Sequence, residues 1–281
     1  MIKRVTMLLL LSSSALFAQE DDLLKQIDTL STNSDFVPPA FKGLQIVTAQ
    51  STKLAAKGDL YFVVAHRFGD VSEGFDNFFG LDDAATKIGF IYGLSDNLSL
   101  SLSRETFMKT YEGAVKYRII KQSEKFPVEV VGYHTVALNS ELDKDDFPKL
   151  EFANRISYLS QLLISRRFSE SFSLQLSPSY VHKNLYMPDT DEKDQMLAGF
   201  GGRYKISKRV SINAEYFVNF SESDVYKNPA SLGVDIETGG HVFQLLFSNS
   251  QVNSDIGYLT NATGDWGKGN IYFGFNLYRV F

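Results

Sequence analysis

Residues 271–281 read IYFGFNLYRVF. Ile271, Phe273, Phe275, Leu277 and Phe281 fall on one face at period two, while Tyr272, Gly274, Asn276 and Tyr278 fall on the other. Arg279 interrupts the apolar face. An edge strand of a soluble sandwich and the closing strand of a membrane barrel both fit this pattern, so the rest of the chain has to separate them.

The other end favours the barrel. Residues 1–18 carry Lys3 and Arg4, then the apolar run MLLLLSSSALF and the small Ala18, followed by Gln19 and the acidic Glu20, Asp21 and Asp22. This is the layout of a cleaved secretory signal peptide, although Leu16 is larger than the residue usual before such a cut. Removing residues 1–18 takes two of the 28 cations, so 26 minus 33 leaves a charge of −7. No polybasic patch points to nucleic acid. Cysteine is absent, which excludes a disulfide-stapled scaffold, a thiolate metal site and a cysteine nucleophile. After the signal no run of about 18 apolar residues could cross a bilayer as a helix. Mean hydropathy is slightly negative and aromatics reach 14%, as expected where each strand has a lipid side and a lumen side.

Residues 19–43 are expected to form an N-terminal extension in the periplasm or the lumen, because Pro38 and Pro39 end the weak helical spacing of EDDLLKQIDTL. From 59 onward the chain is a series of strand-length segments. The alternation is cleanest in LSLSLSR, where Leu98, Leu100 and Leu102 oppose Ser99, Ser101 and Ser103. The segments are 59–68, 85–94, 98–104, 111–120, 127–138, 154–168, 172–183, 194–206, 210–220, 232–238, 241–249 and 271–281. Short turns and long loops alternate between them, as in outer-membrane barrels with periplasmic turns and external loops. Both termini of such a barrel lie on the periplasmic side, so the strand number is even. The expectation is an all-β, transmembrane, antiparallel up-and-down barrel of 12 strands formed within residues 44–281. Residues 44–53 are left as a partial strand, a turn-side hairpin arm or a lumen segment. A barrel of 14 strands requires a further crossing within 250–270.

Within the last strand, Tyr272, Gly274, Leu277 and the terminal Phe281 resemble the C-terminal signal read by the barrel-assembly machinery. Several longer strings carry a family resemblance: SLGVDIETGGHVFQLLFSNS, TGDWGKGNIYFGFNLYRVF, AHRFGD with FFGLD, and LQLSPSYVHKNL. Together they look like a Bacteroidota-type family of outer-membrane β-barrels known only as a domain of unknown function. The resemblance covers essentially the whole mature chain. It implies the outer membrane of a Gram-negative bacterium, with periplasmic chaperones and the assembly machinery as partners during biogenesis and membrane lipids as partners afterwards. It supplies no activity, no cofactor and no catalytic residue.

If the apolar sets face lipid, the alternate positions line the lumen. These are Glu112, Lys116 and Arg118; Arg155 and Arg167; Arg203 and Lys205; Glu215; and Asp235 and Glu237. A charge on the lipid side near the midplane costs ~2–4 kcal/mol, which sets the direction of the assignment. Mixed charges fit a narrow, porin-like pore for small polar solutes. They fit equally a lumen closed by an ion-pair network and an inserted segment.

A lipid-modifying hydrolase is the alternative from another class. Barrels of that kind place His and Ser two residues apart on a strand. Here His66, His134, His182 and His241 are followed two positions later by Phe68, Val136, Asn184 and Phe243. The acidic strings LDKDD (142–146) and PDTDEKD (188–194) have no glycine turn to fix calcium ligands, so they read as solvated loops. Tyr61, Tyr92, Tyr117, Tyr133, Tyr158, Tyr180, Tyr204, Tyr216, Tyr258, Tyr278 and Trp266 are expected in interface girdles. Phe75, Phe78 and Phe79 are expected in a short helix over or into the mouth.

Overall fold

The computed structural model describes residues 37–221, 223–238 and 241–281. The proposed signal sequence and most of the extension lie outside the described residues. Twelve strands run in chain order: β1 Leu60–Asp70, β2 Ala84–Ser95, β3 Leu98–Glu105, β4 Thr110–Ile120, β5 Glu129–Asn139, β6 Ile156–Arg167, β7 Phe172–Lys183, β8 Asp194–Lys205, β9 Val210–Asn219, β10 Ala230–Thr238, β11 His241–Ser248 and β12 Tyr272–Val280. Each pairs antiparallel with its sequence neighbours, and β1 pairs with β12, so the sheet closes into a barrel. Closure removes every free edge, which a sheet inside hydrocarbon requires.

The side-chain period sets the two faces. Ser99 on β3 is 2% exposed whereas Leu102 is 64% exposed. On β7, Ser173, Gln175, Ser177 and Ser179 are buried towards the lumen, and Leu174, Leu176 and Tyr180 are turned out. The outward set, including Phe90, Phe200 and Phe247, forms the apolar band that lipid covers. On β12 the same rule buries Gly274, Asn276 and Tyr278 and leaves Phe273, Phe275 and Leu277 on the outer side. Arg279 is exposed near the chain end, with its guanidinium 4.6 Å from the Phe281 ring centroid. At the seam the Phe281 amide donates to the Leu60 carbonyl at 3.0 Å.

The strand count is twelve and not fourteen. Residues between β11 and β12 contain no further crossing; 250–262 fold into the lumen around one short helix, α1, Asp255–Thr260, and 265–270 stay near the surface. The loop after β1 makes short 3-10 turns within Val71–Gly80, broken by a kink at which Gly74, Asn77, Phe78 and Phe79 leave helical geometry, so the expected single helix does not form. Phe75, Phe78 and Phe79 are all exposed, and Phe75 packs edge-on against Phe79 with ring centroids 4.8 Å apart.

Candidate functional site

Two segments fill the interior of the barrel. The first comprises residues 38–56, which precede β1 and turn back on themselves as a hairpin. Gln45 bridges Gln50, the Ile46 amide donates to Ala49 O at 2.8 Å, and the Ser51 amide donates to Leu44 O at 3.1 Å. Phe41, Leu44, Ile46 and Val47 are all buried. An inserted hairpin has few backbone partners of its own, and buried N–H and C=O groups need them. The wall side chains supply them.

Glu215 receives the tip of the hairpin. Its carboxylate accepts from the amides of Val47 (3.0 Å), Thr48 (2.8 Å) and Ala49 (3.1 Å). Lys116 does the converse, donating to the carbonyls of Leu44, Ser51 and Lys53 at 3.0–3.3 Å. Gln244 donates to Ile46 O and Asn276 to Val47 O, at 2.8 and 2.7 Å. Arg67, 1% exposed, reaches the Thr48 hydroxyl at 3.1 Å. Gln175 holds both Gln50 O (2.8 Å) and the Thr52 amide (3.0 Å). The hairpin thus touches strands all around the wall. Near its base Lys53 is lowered to about 8, chiefly by burial and secondarily by Lys42, with Glu237 opposing.

The second insert is the stretch around α1. Glu105 accepts from the amides of Asn253 and Ser254, the latter at 2.7 Å. Glu112 accepts from the Asp255 amide at 2.8 Å and pairs with Lys87 at 2.6 Å. Lys87 also lies 3.8 Å from the Asp255 carboxylate, which accepts from the hydroxyls of Tyr133 and Thr135. The two inserts meet where Gln50 Nε2 donates to Asp255 Oδ1 at 3.0 Å.

A second, apolar layer complements these polar contacts. Val131, Tyr133, Leu159, Leu163, Val181, Leu197 and Phe217 face inward from β5 to β9 and pack with Leu54, Ile256, Tyr258 and Leu259. Sequence reasoning missed this wall. Its signal was present in β5 and β6, whose strings EVVGYHTVALN and ISYLSQLLISRR carry apolar residues on both faces, as strands covered on both sides do. For the same reason three of the expected girdle tyrosines are inside. Tyr133, Tyr258 and Tyr278 are at most 3% exposed. Their hydroxyls meet Asp255, Ser231 and Gln45, respectively, so the polar tip finds its partner in the plug and not in the headgroups.

The expected lumen residues divide by depth. Glu112, Lys116, Arg203, Glu215 and Asp235 are buried against the interior. Asp235 accepts from Gln244 at 2.5 Å, and Glu237 pairs with Lys42 (3.2 Å) and Arg203 (3.4 Å). Arg118 pairs with Glu129 at 2.7 Å near the short-turn end. Arg167 and Lys205 stand at that same end, where the Arg167 Nε donates to Ser169 O at 3.1 Å. Arg155 is not on a strand. It ends a one-turn 3-10 helix, Phe152–Arg155, at the long-loop end. Of the terminal residues, the Tyr272 hydroxyl lies 3.1 Å from that of Thr263, Gly274 pairs in register with Arg67, and Leu277 and Phe281 face outward.

His66, His134 and His182 lie on the outer side in polar pairs. His66 Nδ1 is 2.8 Å from the Thr86 hydroxyl, and His182 is 2.7 Å from Asp194. His134 Nδ1 is 2.9 Å from Ser160 Oγ across the β5–β6 ladder, with the Tyr117 hydroxyl 3.1 Å from its other nitrogen. In the acidic stretch after β7, Asp191 is occupied by Lys183 at 2.7 Å, and Asp194 by His182 and Tyr180.

A family model described as "Membrane bound beta barrel domain (DUF5777)" matches residues 41–281, and the chain belongs to that family. No curated protein sequence matches it. Among solved structures, the NanC porin aligns over 78% of this chain and 98% of its own, at TM-score 0.50 and 11% identity. The KdgM porin in complex with disordered oligogalacturonate aligns over 79% and 99%, at TM-score 0.50 and 8% identity. An outer-membrane channel from Pseudomonas putida F1 aligns over 81% and 97%, at TM-score 0.49 and 12% identity. At such identities the likeness concerns the fold. The protein is an outer-membrane β-barrel with a porin-like fold.

Proposed function

We propose that this family member is a plugged barrel, closed to solutes in its resting state, which reaches the outer membrane of a Gram-negative bacterium through a cleaved signal sequence and the barrel-assembly machinery. The contact between Gln50 and Asp255 carries the reading, because it joins two inserts that enter from opposite ends and are each tied to the wall. The lumen charges then have a task other than solute handling. Glu105, Glu112 and Glu215 accept from inserted amides, and Lys116 donates to inserted carbonyls, so the mixed lining is complementary to backbone. A passage for small polar solutes would open only when an insert withdraws and water replaces it on those same groups. The test is conductance of the refolded protein in planar bilayers. Silence from a protein whose gel migration shifts on heating is expected; stable ohmic steps would overturn the plug.

A second reading, a nonspanning activity on lipid, has one observation in its favour. Ser160 and His134 make a nucleophile–base pair on the lipid-facing wall, with Tyr117 on the far nitrogen. Against it, strand amides around the pair are committed to the ladder and leave no oxyanion donors. Covalent labelling of Ser160 by a fluorophosphonate, lost in Ser160→Ala, would support a hydrolase; no labelling and no phospholipid or lipopolysaccharide turnover would end that reading.

A further inference from the structure

The loops at the long-loop end enclose a cavity of about 210 Å³ above the second insert. Phe107, Leu142, Phe147, Tyr186 and Met187 form much of its wall, and Ile256 and Gly257 of α1 form part of its floor. The size falls between a cavity that admits one benzene ring and one that holds a drug-sized molecule. Met187 is 64% exposed, Met108 and Tyr186 are each more than a third exposed, and these side chains stand where a ligand would enter. Thioethers and aromatic rings at such an opening adapt to an apolar body.

Three charged side chains line this cavity: Arg155, Lys183 and Asp191. Lys183 and Asp191 neutralise one another at 2.7 Å, and both are largely buried. Asn154 is occupied by the Glu151 amide at 2.8 Å, and Asn139 by the amides of Glu141 and Leu142. Arg155 has no hydrogen bond or ion pair among the described residues. A half-buried guanidinium without a partner, beside an aromatic-lined hollow, presents a planar fork suited to an oxyanion.

We infer that this cavity binds a compact amphipathic anion, an apolar body of aromatic size carrying one carboxylate, with Arg155 as the anchor for the carboxylate and α1 as the floor beneath the body. The net charge of the lining is +1 once the Lys183–Asp191 pair cancels, so a neutral analogue of the same shape gains the apolar contacts and loses the anchor. This inference goes beyond the plugged reading and does not depend on it, because binding at the external mouth is independent of whether the lumen conducts.

The test is calorimetric titration of the full refolded barrel in nanodiscs with cinnamate and with cinnamyl alcohol. Saturable one-to-one binding of cinnamate is expected, with weaker binding of the alcohol. Arg155→Gln should weaken cinnamate at least tenfold and leave the alcohol unchanged, and Met187→Glu should weaken cinnamate through repulsion at the rim. Heat-modifiable migration confirms that each variant is folded. No saturable cinnamate binding, equal affinity in Arg155→Gln, or an alcohol bound as tightly as the acid would each overturn the assignment. Conductance measured on the same preparation reports on the plug separately.

Discussion

The two inserts fill one lumen by different means. The hairpin of residues 38–56 leads into β1; Glu215, Lys116, Gln244, Asn276 and Gln175 of the wall bond to its backbone, Phe41, Ile46 and Val47 pack with Leu246, and Leu54 joins the apolar wall. The α1 insert is tethered at both ends, between β11 and β12. Its amides rest on Glu105 and Glu112, but its side chains Ile256, Tyr258 and Leu259 also join the apolar wall. Directional bonds to charges can be exchanged for water, whereas the apolar contacts that both inserts make have to be exposed when either moves. The difference lies in the connections, a strand at each end of the α1 insert and β1 after the hairpin, and on that ground we propose the hairpin as the stopper and the α1 insert as the floor of the vestibule at the long-loop end.

The largest expected effect separates the two by excision. Deleting residues 19–56 should turn a silent barrel into one with ohmic steps in planar bilayers, while replacing 251–261 by a short turn should leave it silent, since the hairpin still reaches strands all around the wall. Equal conductance from both deletions would break the distinction. Next in size is Glu215→Ala, which strands three hairpin amides without their acceptor and should weaken hairpin seating by about 4 kcal/mol. A cysteine at Thr48 reports it: thiol labelling should be slow in the parent background and fast in Glu215→Ala.

Lys87→Met acts on the other insert. It leaves the Glu112 and Asp255 carboxylates facing each other without their cation, at a cost of about 3 kcal/mol. Proteolysis within 250–262 should accelerate while labelling at position 48 changes less; the reverse order would contradict the division of roles. The smallest effect is a pH dependence at Lys53. Its folded value of about 8 lies below the ordinary 10.5, so between these limits the unfolded chain holds a proton that the folded chain has released. Stability therefore rises as pH increases across that window. The urea midpoint of the wild type should increase between about pH 8 and pH 10 by more than that of Lys53→Met.

The barrel was legible because its determinants are local. Alternation in LSLSLSR, in FSLQLSPSY and in the last strand needs only period two to assign faces, and the regular exchange of short turns and long loops needs only turn chemistry. The lumen set was partly legible by the same parity: Glu112, Lys116, Arg203, Glu215 and Asp235 all face inward. Arg155 escaped it because the strand starts one residue later, at Ile156, and leaves the guanidinium on a turn at the long-loop end. Tyr133, Tyr258 and Tyr278 escaped it because an aromatic with a polar tip suits a membrane interface and a plugged lumen equally well. Asp255, Ser231 and Gln45, distant in sequence, decide between them.

What the amino-acid sequence determined by itself is the wall: twelve strands, their two faces and a polar interior, since these follow from side-chain periodicity and from the cost of charge in lipid. What only the tertiary structure decided is what the wall encloses. The string LQIVTAQSTK at 44–53 has the composition of a strand, yet it folds inside because Glu215 and Lys116, more than sixty residues away along the chain, offer its backbone the partners that a neighbouring strand would have provided. A backbone donor or acceptor is the same in every residue, so no local pattern records where its partner lies.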